Sequence, residues 1–161
     1  MKIDMHAHVM PRECFELIDK HGVNHQKNVK KNAAGEWMLE TGRSPAPRAD
    51  SNVIIEDMDK NGLDMRALTN YPVGMFYEAD PDDGLKFARR FNNAMAGMAQ
   101  ANPKRIIGFA TLPMQDIGLA VPELERAVRE LGLKGVEIMA TINKKNLDEP
   151  EFGPFYAKVQ E

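Results

Sequence analysis

Lys2-Ile3-Asp4-Met5-His6-Ala7-His8, running into Val9-Met10-Pro11, alternates charged or polar side chains with apolar ones and stops at a turn-forming proline. Alternation of this kind is the period of a β-strand, and Met10-Pro11 marks the turn that ends it. Residues two apart in a strand point the same way, so His6 and His8 present two imidazoles in one direction at the carboxyl end of the segment. Two neutral imidazoles so placed can hold one divalent ion. Zinc takes nitrogen donors readily, and manganese or iron suits a mixed nitrogen and oxygen set. Two ordinary polar residues at a strand end would look the same from this motif alone. Asp4 shares the parity of the histidines, which allows it either to face inward and orient one of them or to be a solvated surface carboxylate.

Outward from that strand, residues from Glu13 to about Gly22 predict a short helix. His25 to Asp50 is polar, rich in Lys and Asn, and carries Gly35, Gly42, Pro45 and Pro47. This predicts a long connection with a short strand near Trp37 to Glu40, and connections of such length in compact enzymes often carry function. Ser51 is placed to cap a helix with Ile54, Ile55 and Met58 on its inward side and a stop at Asn61-Gly62. Met65 to Asn70 predicts the next strand. Asp80-Pro81-Asp82-Asp83 supplies a cap, a first-turn proline and acidic residues facing the helix dipole. Behind it, Phe87, Phe91, Ala94, Met95 and Met98 form one apolar stripe of a long helix.

Arg105 to Thr111 predicts a third strand, and Leu124, Ala127, Val128 and Leu131 line a helix ended by Gly132. Either that helix begins near Pro122, or an earlier start near Gly118 leaves it kinked there. Gly135 to Met139 predicts a fourth strand, followed by a loop to Pro150 and a last helix from Phe152. Strand and helix thus alternate four times, which argues for an α/β fold of parallel strands covered by helices, with right-handed crossovers. Half of an eight-stranded barrel and a small open sheet both satisfy the pattern. In either, ligands gather at the carboxyl ends of the strands, where His6 and His8 fall.

Composition narrows the function classes. The 161 residues, 43% of them hydrophobic, suffice for one domain and not for two. Twenty-one basic and 24 acidic side chains leave a net charge of -3 with no long block of either sign, so neither a nucleic-acid surface nor a polyacidic tail is indicated. Cys14 has no second cysteine to pair with and reads as buried packing in a reducing compartment. Asp4, His6 and His8 are foreign to a secretory leader, and no apolar run approaches the ~18 residues of a membrane span. A cytoplasmic chain without membrane contact is the expectation. The eleven methionines read as adaptable core filling.

Ile3-Asp4-Met5-His6-Ala7-His8-Val9-Met10-Pro11 resembles the opening of the amidohydrolase-related family, of the aminocarboxymuconate-semialdehyde decarboxylase type, within the amidohydrolase superfamily. The similarity continues in Glu56-Asp57-Met58-Asp59-Lys60-Asn61-Gly62, in Gly108-Phe109-Ala110-Thr111-Leu112-Pro113-Met114-Gln115 and in Glu130-Leu131-Gly132-Leu133-Lys134-Gly135-Val136, colinear over nearly the whole chain. The resemblance implies the N-terminal half of a (β/α)₈ TIM barrel of the metal-dependent hydrolase type, about four βα units forming a single incomplete domain over residues 1–161. It further implies one divalent metal, usually zinc, on His6 and His8, with a histidine and an aspartate added by later strands. The implied reaction is decarboxylation of a small unsaturated or aromatic carboxylic acid, with hydrolysis as the alternative inside the same superfamily. Pro11 matches a position lining the family's pocket.

A barrel of this type takes roughly 250 residues or more. Two ligands from one strand therefore predict weak metal binding by this chain alone, without the general acid or base of later strands. Arg43 and Arg48 lie in a connection from which family members reach over the pocket to bind substrate carboxylates, a task that suits a guanidinium fork. His21 and His25 read as solvent-exposed. Glu137, in the strand where some amidohydrolases carry a bridging carboxylate, reads as an ordinary strand residue, and Thr141 and Asn143 as loop hydrogen-bonders. A reading of a different class is a non-catalytic half-barrel that pairs as a homodimer, because an open sheet edge and an apolar interior favour association.

Overall fold

In a computed structural model of the protein, residues 1–21, 29–35, 37–39 and 50–161 are described. The chain runs β1 (Ile3–Val9), α1 (Phe15–His21), β2 (Val29–Lys31), β3 (Trp37–Leu39), α2 (Ser51–Lys60), β4 (Met65–Asn70), α3 (Pro81–Ala101), β5 (Ile106–Ala110), α4 (Ile117–Arg129), β6 (Gly135–Val136), β7 (Thr141–Ile142), β8 (Lys145–Asn146) and α5 (Gly153–Gln160). β1, β4, β5 and β6 pair in that order, all parallel, while β2 with β3 and β7 with β8 form small antiparallel hairpins. This is the α/β layout that the alternating strand and helix patterns predict.

Each face of the sheet has its own chemistry. Along β5, Ile106, Gly108 and Ala110 are buried and Ile107 and Phe109 are half-buried. The buried set faces the helices: Val9, Leu68, Ile106 and Ala110 share one apolar core with Ile54 and Met58 of α2 and Phe87, Phe91 and Met95 of α3. Gly108 has no room for a side chain there, since a Cβ would stand 2.7 Å from Leu133 Cδ2 and 2.8 Å from Met95 Cγ. The opposite face, carrying Ile107 and Phe109, is the one on which the site is built.

Local chemistry explains the helix starts. Asp80 accepts from Asp82 N at 3.0 Å ahead of Pro81, as the sequence predicts. The cap of α2 is Asp50, which accepts from Asn52 N at 2.9 Å, and not Ser51, which is already helical. α4 starts at Ile117 behind Asp116, whose carboxylate accepts from Leu119 N. Pro122 therefore lies inside the helix and removes one hydrogen bond from its ladder.

A buried polar cluster ties α3 and α4 to the end of β5. Asn92 donates to Thr111 O at 3.0 Å and to Glu123 Oε1 at 2.7 Å, and its own oxygen accepts from Thr111 N at 2.9 Å. Glu123 is in turn clamped by two donors of Arg126, each at 2.8 Å.

Two sequence expectations change after β5. β6 ends at Val136, not Met139, and the connection to Pro150 contains the β7–β8 hairpin. That hairpin turns on Asn143 and Lys144, with φ of 49° and 70°. Two consecutive positive φ values are the backbone of a tight hairpin turn, and lysine gives no advance signal of one.

Cys14 is buried, and burial, reinforced by Glu13, pushes its thiol well above the ordinary range. Thiolate is the reactive form. Cys14 is therefore expected to be silent to a disulfide reagent at pH 8 in the folded protein and to react fully in denaturant; rapid labelling of the native chain would show that this part of the core is wrongly described. Among the described residues no helix is long and apolar enough to cross a membrane.

Candidate metal centre

The carboxyl end of β1 is set by its register on β4, with Ala7 opposite Leu68, His8 opposite Thr69 and Val9 opposite Asn70. Ala7, Val9 and Leu68 belong to the helix-side core. His8 and Thr69 therefore point to the other face, where Thr69 is buried and its hydroxyl lacks a hydrogen-bond partner.

Asp4 does not follow the histidines. Between Asp4 and Ala7 the register shifts, which breaks the period-two parity, and Asp4 lies opposite Arg66. Its carboxylate accepts from Arg66 Nε at 2.9 Å, and Arg66 also donates to Asp57 of α2 at 2.8 Å. The expectation of an inward Asp4 orienting an imidazole is thus replaced by an anchor: the buried guanidinium pins the base of β1 to β4 and α2.

His6 Nε2 and His8 Nε2 lie 2.9 Å apart, with ring planes at 72°. Tyr71, just after β4, packs against the His8 ring at 4.9 Å between centroids. Glu137, just past β6, brings Oε1 to 3.8 Å from both imidazole nitrogens. Its backbone N–H donates to Ala110 O at 3.1 Å, so the sheet fixes its position. The other carboxylate oxygen, Oε2, is buried with no hydrogen-bond partner. Glu137 is therefore not the ordinary strand residue that the sequence suggested. Val136 packs in a second apolar cluster with Ala120 and Leu124 of α4 and Phe155 of α5, so the next residue emerges on the histidine face. That alternation was the available signal, hidden because the strand is two residues long.

Burial lowers the pKa of His8 from its ordinary value; the neighbouring Glu137 carboxylate opposes this and His6 reinforces it. The net direction favours neutral imidazole, the form that binds metal. His6 remains open to solvent, 60% exposed at its side chain, so the cluster is reachable. Among the described residues His6, His8 and Glu137 form the metal-type donor group, with ligand atoms all within 4.8 Å of one another.

Other candidates are placed differently. Pro11 is buried directly after β1, where its carbonyl accepts from Cys14 N. Asn143 donates to Tyr77 O at 2.6 Å, the loop hydrogen bonding expected of it, while Thr141 is exposed in β7. Arg43, Arg48 and His25 lie outside the described residues, as does the side chain of His21.

Parallel strands covered by helices, with imidazoles and a carboxylate gathered at the strands' carboxyl ends, place the candidate site where α/β folds of this class carry their ligands. More particularly, the chain belongs to the amidohydrolase family (Amidohydro_2), whose sequence profile matches residues 3–161. It is 32% identical to 2-amino-3-carboxymuconate-6-semialdehyde decarboxylase of Dictyostelium discoideum, over 99% of this chain and 46% of that protein. A gamma-resorcylate decarboxylase of Polaromonas sp. is 37% identical over 64% of this chain and 33% of its own length. Among solved structures, 5-carboxyvanillate decarboxylase of Novosphingobium aromaticivorans, with bound manganese, superposes with a TM-score of 0.78 at 27% identity, covering 99% of this chain and 48% of that one. Such neighbours are TIM barrels of the amidohydrolase superfamily, and the chain spans about half the length of the relatives it matches.

Proposed function

We propose that residues 1–161 are one incomplete barrel domain, the N-terminal half of a metal-dependent carbon–carbon lyase that removes carbon dioxide from a small unsaturated or aromatic carboxylic acid. The observation that carries this reading is the meeting of His6 and His8 at the carboxyl end of β1 in a chain whose relatives are decarboxylases of such acids.

His6 and His8 would hold the divalent ion through their imidazole nitrogens. The donor chemistry suits zinc, while manganese is the ion in two decarboxylase neighbours. When bound, the ion supplies positive charge that stabilises the negative charge developing on substrate as the carbon–carbon bond breaks. Tyr71, packed against His8 at a tilt of 45°, limits rotation of that ring. The half-buried face carrying Ile107 and Phe109 offers an apolar wall to an unsaturated ring or chain. Pro11 lines the approach, and Arg43 and Arg48 serve as partners for the substrate carboxylate. The small acid is the partner in this reading, with no part for nucleic acid or membrane, and the single buried thiol suits a cytoplasmic setting.

The test is carbon dioxide release by the intact protein from dihydroxybenzoate, carboxyvanillate and aminocarboxymuconate semialdehyde, with a His8→Ala control. Release from one of them, lost in the control, is the expected result. No release from any, with cleavage of amides or lactones, would reverse the assignment in favour of a hydrolase.

A second reading, the self-pairing half-barrel, has its own observation. β1 and β6 are the two edges of the sheet, with Met5 and Met139 exposed on or beside them. Light scattering separates the two: a monodisperse dimer of the 161-residue chain supports pairing, and heterogeneous aggregates support a half that needs the rest of its barrel.

A further inference from the structure

We infer that Glu137 is the third metal ligand, so that residues 1–161 hold a divalent cation by themselves through two imidazoles and one carboxylate. The inference rests on the proposal that His6 and His8 bind metal, and goes beyond it by adding a carboxylate from the opposite edge of the sheet to the ligand set.

Three observations carry it. The first is distance. His6 Nε2, His8 Nε2 and Glu137 Oε1 form a triangle with sides of 2.9, 3.8 and 3.8 Å. The nearest point equidistant from all three lies about 2.1 Å from each, within reach of the bonds that zinc makes with imidazole nitrogen and carboxylate oxygen.

The second is an imbalance of polar partners. Glu137 Oε2 is buried and makes no hydrogen bond, and the ion-pair partners of this carboxylate among the described residues are the same two histidines. A buried carboxylate oxygen without a hydrogen-bond partner is costly, and a cation at the centre of the three donors offsets that cost. The two ring nitrogens, 2.9 Å apart, share either a proton or a cation between them.

The third is the reach of the contact. β1 and β6 are the outer strands of four, and in a flat sheet they would stand about 14 Å apart. Glu137 nevertheless comes within 3.8 Å of both imidazoles, so the sheet is curled and the cluster spans its concave face. A ligand set drawn from both edges makes cation binding stabilise the curled arrangement, and a ligand that binds only the folded state raises the melting temperature.

The test uses Zn²⁺ and Co²⁺ alone on the purified 161-residue chain, read by titration calorimetry, the Co²⁺ visible spectrum and the melting temperature. The expected result is one ion per chain and a raised melting temperature. Glu137→Gln, which keeps the side chain's size, is expected to weaken binding by at least about 10- to 100-fold, the cost of losing a group that only supports a ligand, and to leave the metal-free fold unchanged by circular dichroism. Glu137→Asp keeps the charge but withdraws the oxygen by one methylene, and should give intermediate affinity with an altered Co²⁺ spectrum.

Equal affinity in the wild type and both Glu137 variants would overturn the inference while leaving His6 and His8 as ligands. No binding by the wild-type chain would overturn it too. Unchanged binding in His6→Ala and His8→Ala variants would instead defeat the underlying metal assignment.

Discussion

Replacing His6 and His8 together by alanine is expected to lower the affinity of the chain for Zn²⁺ by more than about 100-fold, beyond the cost of losing a supporting partner alone. Both Nε2 atoms stand in one cluster with Glu137 Oε1, and removing them leaves a single carboxylate, a weak site in water. Because Ala7 and Val9 hold β1 in the core while the histidines point away from it, the double variant should fold as the parent does. Calorimetric titration of the two proteins checks this. Unchanged affinity would place the metal elsewhere and remove the basis of the functional reading.

Arg66→Met is expected to destabilise the chain by about 3 kcal/mol, the lower end of what breaking a buried ion pair costs. Arg66 is 4% exposed and donates to both Asp4 and Asp57. Its loss takes the guanidinium partner from two carboxylates, each 30% exposed at its side chain, and their access to water is why the smaller figure applies. Urea denaturation should show a lower midpoint with an unchanged slope. The same variant is expected to weaken metal binding, because the pair fixes the base of the strand that carries both imidazoles. Stability within 0.5 kcal/mol of the parent, roughly the range of ordinary surface substitutions, would show that this anchor does not hold β1.

Both expectations depend on a detail that strand parity alone concealed. The alternation of Ile3 to Val9 located the strand and correctly put His6 and His8 together at its carboxyl end. The same rule, applied to Asp4, assumed an unbroken pleat. The register shift between Asp4 and Ala7 invalidated it, and that shift arises from pairing with β4 rather than from anything local.

Elsewhere, legibility followed the strength of the local signal. Met65–Asn70 and the Asp80-Pro81 start of α3 were readable to the residue, because a strand between turns and a capped proline start are local features. The cap of α2 slipped from Ser51 to Asp50 because both residue types cap well and sit side by side. Glu137 has no local signature, because its place beside the histidines comes from the meeting of the two sheet edges, and no spacing within residues 135–139 carries that information.

The central claim is that a divalent ion sits at the carboxyl ends of β1 and β6. A crystal of the 161-residue chain grown with Zn²⁺, with anomalous diffraction recorded at the zinc edge, tests it most directly. The account predicts one strong peak bonded to His6 Nε2, His8 Nε2 and Glu137 Oε1. Ordered imidazoles with no peak between them, or zinc bound only at other side chains, would contradict it.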